Sequence, residues 1–230
     1  MKYLGLLGLT LVLMLFRCNS DIKSNASTKI NPVIKSEGST KHNSETIKLP
    51  DDNKDKDDIQ TLIRQTLNWG DSKSSINLLP VLSKDSICIG FDFDKQNQNL
   101  EKLRQSGFFA NEFIDNYNQI IQTLDKKIKN KEFEPWNVYE LPTFNFANDV
   151  DPWTLCQDVP YDKPNPLDFV EVGIINLDNK KGELYWKWGN LYSNADSSWK
   201  NFSYKFRVEK VDSKWEISYL QGFDYKESIK

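Results

Sequence analysis

The sequence has a single histidine, His42. That residue lies in a polar stretch with no aromatic side chain, which cannot bury enough apolar surface to fold by itself. A Ser-His-Asp triad, a Cys-His pair and a histidine-ligated zinc site are therefore excluded from the rest of the chain. An enzyme built on this sequence would have to use carboxylates, tyrosines or cysteines.

The chain also lacks an excess of either charge. It contains 30 basic and 33 acidic residues, for a formal net charge of −3. No block of lysine or arginine is present that would form a phosphate-binding face. We therefore expect no nucleic-acid partner.

Metal-binding patterns are scarce. The run that most resembles a calcium loop has acidic or amide side chains at alternate positions: Asp51, Asn53, Asp55 and Asp57. Lys56 stands where such a loop needs glycine, and Leu62 stands where it needs a bidentate glutamate. The sequence therefore predicts no metal site, and no motif in it predicts a cofactor.

The amino terminus carries the most informative pattern. Lys2 precedes an uncharged run over residues 3–16, which Arg17 and Cys18 follow. The run suits a secretory signal but is too short to span a bilayer, which takes roughly 20 apolar residues. A cysteine directly after such a run resembles the acceptor site of bacterial lipoproteins; Leu15 fits that pattern and Arg17 departs from it. The resemblance implies a signal peptide over residues 1–17, lipid on the Cys18 thiol, and a membrane-anchored protein of the cell envelope that faces the periplasm or the cell surface.

The remaining chain divides by composition. Residues 19–58 are rich in Ser, Thr, Asn, Lys and Asp and contain no aromatic residue, so we predict a lipidated cysteine and disordered tether over residues 18–58. Residues 59–230 would form one domain. In an oxidising compartment, Cys88 and Cys156 would form a disulfide or remain two small buried thiols, and the sequence leaves both open.

Helical periodicity appears twice in this domain. Apolar residues recur from Ile59 to Leu67, before Trp69 and Gly70. The stronger stripe predicts a helix over about residues 110–130 and consists of Phe113, Tyr117, Ile120, Ile121, Leu124 and Ile128. Between them, Ile87, Ile89 and Phe91 alternate with small or polar residues and predict a strand with these three side chains on one face.

The last third alternates with a period of two. Strands are predicted over residues 169–177, 183–188, 202–208 and 215–219, joined by short turns. Residues 134–166 hold six of the nine prolines and predict an aromatic loop region. We therefore predict an α+β fold in which N-terminal helices precede one long helix packed on a curved antiparallel sheet.

The order of these elements, with Phe202 to Val208 and Trp215 to Tyr219 as closing strands, resembles the cone-shaped domain of nuclear transport factor two and ketosteroid isomerase relatives. The segment Asp151–Asp158 is similar to an Asp-Pro-aromatic stretch found in an uncharacterised bacterial branch of that superfamily. The resemblance covers about residues 59–224. It implies a cone whose open end can hold a ligand, and, in the isomerases, an aspartate base with a tyrosine donor. The residues available by type are Asp92, Asp94, Asp158 and Tyr204.

Two interpretations of the aromatic side chains remain open. They form a core, or some of them rim the cone and bind an apolar ligand or a protein partner. The candidate binding residues are Trp136, Trp153, Gln157, Asp158, Trp186, Trp188 and Tyr204. We expect a non-catalytic lipoprotein that binds a protein or an apolar ligand. The alternatives are an immunity protein against a secreted toxin and an isomerase-like enzyme using Asp and Tyr.

Overall fold

The computed structural model describes residues 52–230, which form an α+β arrangement. The helices of this part are α1 (Asp52–Asp71), α2 (Phe93–Ser106), α3 (Asn111–Lys129), α4 (Ser197–Lys200) and α5 (Tyr225–Ser228). The strands are β1 (Val81–Lys84), β2 (Ile87–Phe91), β3 (Glu171–Leu177), β4 (Lys181–Lys187), β5 (Tyr204–Val211) and β6 (Lys214–Leu220). The predicted signal peptide, Cys18 and most of the predicted tether lie outside these residues.

The predicted antiparallel strands of the last third are confirmed. They form one sheet in the order β3-β4-β5-β6, and β1 and β2 form a separate antiparallel hairpin. Along β4 and β5, buried and exposed side chains alternate, as expected for a sheet with one face on the core. The core side of the sheet includes Leu184, Trp186, Tyr204, Phe206 and Ile217.

Helix α3 presents its apolar stripe to this core. Phe113, Tyr117, Ile121 and Leu124 are fully buried, so the predicted stripe is confirmed. The helix contacts β6 of the large sheet and also β2 of the hairpin. It therefore joins the two sheets.

Helix α1 begins at Asp52, before the predicted start at Ile59, so it includes residues assigned to the tether by composition. The reason is a contact distant in sequence. One carboxylate oxygen of Asp55 accepts hydrogen bonds from Trp215 Nε1 and Lys210 Nζ, each over 2.9 Å. These bonds fix the first turns of α1 against the β5–β6 hairpin. Asp57 and Asp58 also lie inside this helix.

Candidate functional site

Most of the predicted binding rings lie in the core and not at a rim. Trp153, Trp186 and Tyr204 are 2% exposed or less, and Trp188 is also buried. Trp186 stacks on Tyr204 with ring centroids 5.4 Å apart and meets Trp188 edge-on at 5.1 Å. Of the two interpretations left open by the sequence, the core interpretation therefore holds for these four side chains. The physical reason is that Trp186 and Tyr204 lie on the buried face of β4 and β5, Trp188 directly follows β4, and the loop residue Trp153 packs inward against Phe223.

Tyr204 has a structural use for its hydroxyl group. The hydroxyl donates to the backbone carbonyl of Pro152 over 2.8 Å and accepts from the backbone N–H of Gly222 over 2.9 Å. Complete burial raises the pKa of Tyr204 well above its ordinary value. The group therefore ties the Asp151–Asp158 segment to the end of β6, and its proton is not available to a substrate.

Gln157 and Asp158 are exposed, as a binding role requires. They line a cavity of about 400 Å³ together with Asp71 and Asp151. Burial raises the pKa of Asp151, the hydrogen bond from the backbone N–H of Trp153 opposes that effect, and the nearby Asp71 carboxylate adds to it. Within residues 52–230, no group of three or more His, Cys, Asp or Glu side chains is placed to hold a metal ion.

The two cysteines of the described domain lie at different places. Cys156 lines the cavity around Asp151, whereas Cys88 is buried on β2 and lines a different cavity. No disulfide joins them. Cys88 is buried, as the second outcome expected, whereas Cys156 is half-buried.

Asp92, a carboxylate available by type as a base, caps a helix. Its Oδ1 atom accepts from the backbone N–H groups of Asp94 and Lys95, each over 3.1 Å. The hydrogen bond from Lys95 is the main cause that lowers the pKa of Asp92. Asp94 lies in the first turn of α2, where a negative charge suits the helix dipole. Both residues therefore stabilise the N-terminus of α2.

The cavity beside Cys88 was not expected from the sequence, apart from Trp136. It is an open cleft of about 620 Å³ between β2, the end of α3 and the loop that follows. Its lining is mainly apolar and includes Ile87, Ile89, Ile128, Phe133, Pro135 and Trp136. Its volume is within the range of small-molecule pockets.

An inverted strand pattern creates one wall of this cleft. Ile87, Ile89 and Phe91 were predicted to share one face, but Ile87 and Ile89 are 38% and 50% exposed, whereas Phe91 and Cys88 are buried. The cause is Gly90, whose φ of +139° is a conformation that residues with a side chain rarely adopt. This irregular residue turns Phe91 into the core while the two isoleucines stay outside. An isolated glycine in a strand pattern is the sequence signal for such a break.

Helix α3 holds the wall in place at Gly90. A Cβ atom at that position would lie 2.5 Å from Asp125 Oδ1, so the approach of the helix requires glycine. Asp125 Oδ1 accepts from the backbone N–H of Phe91 over 2.9 Å, and its Oδ2 pairs with Lys129 Nζ over 2.8 Å. The Lys129 ammonium also lies 5.9 Å from the centre of the half-exposed Phe93 ring. Lys129 is thus fixed beside the cleft with its charge already paired.

The loop after α3 supplies the second wall. Its backbone pairs with β2: the N–H of Cys88 donates to the carbonyl of Trp136, and the N–H of Val138 donates to the carbonyl of Ser86, both over 2.9 Å. The indole N–H of Trp136 donates to the carbonyl of Glu140 over 3.0 Å. Trp136 is also buried, at 6% exposed, so only an apolar edge of its ring reaches the cleft.

Lys131 and Glu134 give the cleft a charged rim. Both residues are exposed and line the cleft, and neither forms an ion pair with a residue between 52 and 230. Lys131 follows Asn130, the C-cap residue of α3, and has the left-handed conformation, with φ +58°. Its N–H donates to the carbonyl of Ile128, and the next N–H donates to the carbonyl of Lys127. These two hydrogen bonds form a Schellman motif, which usually has glycine or asparagine at the left-handed position. Another residue there costs roughly 1 to 2 kcal/mol.

The comparisons with known proteins add no assignment. No protein-family model, curated protein or solved structure matches this chain. Across residues 52–230, none of the helices has the length and apolar character needed to cross a membrane.

Proposed function

We propose that this protein is a non-catalytic, lipid-anchored protein of the bacterial cell envelope, and that it binds an apolar ligand in the cleft between β2 and the loop after α3. One observation carries the binding proposal: Ile87 and Ile89 stay 38% and 50% exposed in a cleft of ligand-sized volume, which the edge of the buried Trp136 ring also lines. Clustered exposed apolar side chains are a feature of binding surfaces. Covering these side chains would lower the free energy of the complex by removing apolar area from water.

The anchoring part of the proposal rests on the sequence before the described domain. A lysine, an uncharged run and then Cys18 form the pattern of an exported chain with a lipid acceptor. Lipid on Cys18 would keep the domain at the envelope. A single acyl chain gives only marginal membrane binding, so stable anchoring needs more than one chain.

We also propose that the domain is a member of the cone-shaped superfamily of nuclear transport factor two and ketosteroid isomerase relatives. Two features support this. The four-stranded antiparallel meander follows the helices in the expected order, and α3 packs against its last strand. An experimental structure that showed a flat sheet without a concave face would contradict this assignment.

The contacts of Tyr204 and Asp92 support a non-catalytic domain over the isomerase-like alternative. An isomerase would need an aspartate and a tyrosine that both reach a substrate. The Tyr204 hydroxyl already donates to Pro152, and the Asp92 carboxylate caps α2. Asp151 lines a cavity, but without a free tyrosine donor from Tyr204 it lacks the partner that this chemistry requires.

Binding is tested with the neutral apolar dye Nile red and the mature chain from residue 18, in which Cys18→Ser removes the proposed lipid. The double variant Ile87→Ser/Ile89→Ser should weaken dye binding at least about tenfold, because each half-exposed isoleucine loses roughly half of the 1.5–3 kcal/mol available from full burial. The matched control is Ile174→Ser/Ile175→Ser. These two isoleucines of β3 are 39% and 50% exposed and do not line the cleft.

The control variant should bind the dye as the unchanged chain does. Equal weakening by both double variants would show that the dye senses exposed isoleucine anywhere on the surface. No binding to the unchanged chain would contradict the proposal directly. Thermal denaturation of each variant checks that the fold is retained.

A protein partner is the second candidate, and one observation favours it. Tyr139 is 84% exposed and Leu141 57% exposed, on the loop that continues from the cleft wall. Tyrosine is a frequent anchor of protein interfaces. If the partner is a secreted toxin, as the immunity alternative requires, Tyr139→Ala/Leu141→Ala should abolish protection of cells that carry the toxin gene while Nile red binding stays unchanged.

A further inference from the structure

The three charged side chains that line the cleft differ in whether their charge is paired. Lys129 has its partner, because its ammonium group lies 2.8 Å from Asp125 Oδ2. Lys131 and Glu134 pair neither with each other nor with another residue between 52 and 230. The cleft therefore presents one unpaired positive charge and one unpaired negative charge.

These two charges lie beside the apolar wall formed by Ile87, Ile89 and Trp136. A ligand that covers this wall brings its polar end near the rim, where it lies close to both Lys131 and Glu134. A simple anion would be attracted by Lys131 and repelled by Glu134, whereas a cation would meet the reverse arrangement. A neutral head group would leave both charges without a partner.

We infer that the cleft binds a single-chain amphiphile with a zwitterionic head group, whose anionic part lies at Lys131 and whose cationic part lies at Glu134. Head groups that combine a phosphate with an amine or a quaternary ammonium have this chemistry. The hydrocarbon chain would cover the isoleucines and Trp136. This inference rests on the proposed function, because it names the ligand class of the same cleft.

The experiment measures displacement of Nile red from the mature chain by three amphiphiles of equal alkyl length, each below its critical micelle concentration. Dodecylphosphocholine is zwitterionic, dodecyl maltoside is neutral and dodecanoate is anionic. We expect dodecylphosphocholine to displace the dye at the lowest concentration. Lys131→Gln and Glu134→Gln should each weaken its binding about fivefold, which is about 1 kcal/mol at 1.4 kcal/mol per factor of ten and is the upper end for an exposed pair.

Neither substitution should change the binding of dodecyl maltoside, since that molecule carries no charge. The matched control is Lys126→Gln, which removes a lysine from the last turn of α3 that does not line the cleft. It should leave the affinity for dodecylphosphocholine and dodecyl maltoside unchanged. The affinity for the anionic dodecanoate should fall only slightly, because salt screens the charge of a distant lysine. Melting temperatures of the three variants report whether the domain is intact.

Several results would overturn the inference while leaving the proposed function in place. One is equal binding of the zwitterionic and neutral amphiphiles with no effect of either substitution. Another is tighter binding of dodecanoate that depends on Lys131 alone, which would identify an anionic ligand. If no monomeric amphiphile displaces Nile red, yet phosphatidylcholine vesicles retain the unlipidated chain in a flotation assay, the cleft contacts a membrane surface and the inference is wrong. If Nile red itself does not bind, the proposed function fails first.

Discussion

The Asp125 carboxylate accepts a hydrogen bond from the backbone N–H of Phe91 over 2.9 Å, so the last third of α3 is tied to the strand that forms a wall of the cleft. Asp125 is buried, and its second oxygen pairs with Lys129. A buried carboxylate is tolerated when its oxygens are hydrogen-bonded in this way. The contact therefore links the β2 wall of the cleft to the core, because α3 also packs against β6 of the large sheet.

Gly90 should be among the least replaceable residues of the domain. Its φ of +139° disfavours any side chain, and a Cβ atom would lie 2.5 Å from Asp125 Oδ1. Gly90→Ala should therefore cost about 3 kcal/mol, from backbone strain and overpacking together. Gly107→Ala is the matched control, because Gly107 also has positive φ but faces only the flexible end of Lys214. It should cost about 1 kcal/mol, from the left-handed backbone alone. Urea midpoints of the two variants test this, and equal midpoints would contradict the close approach of α3.

Gly90 also explains why the sequence predicted some parts of the molecule and missed others. Apolar and polar residues alternate along β4 and β5 in the sequence itself, so these strands and their buried faces were predicted correctly. The burial of β2 depends on Gly90 and on Asp125, which lies 34 residues after its hydrogen-bond partner Phe91. Strict alternation does not reveal that break, so the prediction that Phe91 shares a face with Ile87 and Ile89 was wrong.

The start of α1 shows the same limit. The polar composition around Asp55 is typical of a disordered segment, and the helix forms there with the help of Trp215, 160 residues later. The candidate site depends on such long-range contacts even more strongly. Trp136 could be selected from its aromatic, proline-rich surroundings, whereas Lys131 and Glu134 carry no motif and become notable only through their position at the cleft.

Trp153 should act as a core residue. Its ring centre lies 4.7 Å from that of Phe223, 5.9 Å from that of Phe109 and 6.4 Å from that of Phe113. Trp153→Ala should cost about 3 to 5 kcal/mol through the cavity it leaves. Trp199→Ala, at a half-buried ring on α4, should cost clearly less. If Trp153→Ala retained the denaturation midpoint and lost ligand binding, the ring would belong to a binding site after all.

Asp151 should make stability depend on pH in an unusual direction. Burial and the nearby Asp71 raise its pKa in the folded chain, against the hydrogen bond from Trp153 N–H. A carboxyl group whose pKa is raised in the folded state binds protons more tightly there than in the unfolded chain. Its contribution to stability therefore falls as pH rises above its ordinary pKa of 3.8.

Asp151→Asn keeps the acceptor oxygen and removes the charge. The variant should be more stable than the unchanged chain at about pH 7, with the difference shrinking toward about pH 4. A variant less stable at neutral pH would show that the charged hydrogen bond outweighs the cost of burial.

Cys18 should carry lipid. Cells grown with a fatty-acid analogue should incorporate the label into the unchanged protein and not into Cys18→Ser, because the thiol is the proposed acceptor. The substitution Arg17→Ala is the informative companion, since it restores the small residue that lipoprotein cleavage sites favour. It should increase the labelled fraction. Equal labelling of the unchanged protein and Cys18→Ser would rule out Cys18 as the acceptor.

The thiol of Cys88 should report occupancy of the cleft. It is buried but lines the cleft, its Sγ lies 3.6 Å from the carbonyl of Gly90, and burial raises its pKa. Alkylation proceeds through the thiolate, so iodoacetamide should modify Cys88 more slowly than it modifies glutathione at neutral pH, and the rate should keep rising at alkaline pH. Saturating Nile red should slow the reaction further by covering the thiol.

A chain with Cys18→Ser and Cys156→Ser leaves Cys88 as the single thiol, so that mass spectrometry can follow its modification without ambiguity. Modification at the glutathione rate, or a rate that the dye leaves unchanged, would show that ligands of the domain bind away from β2.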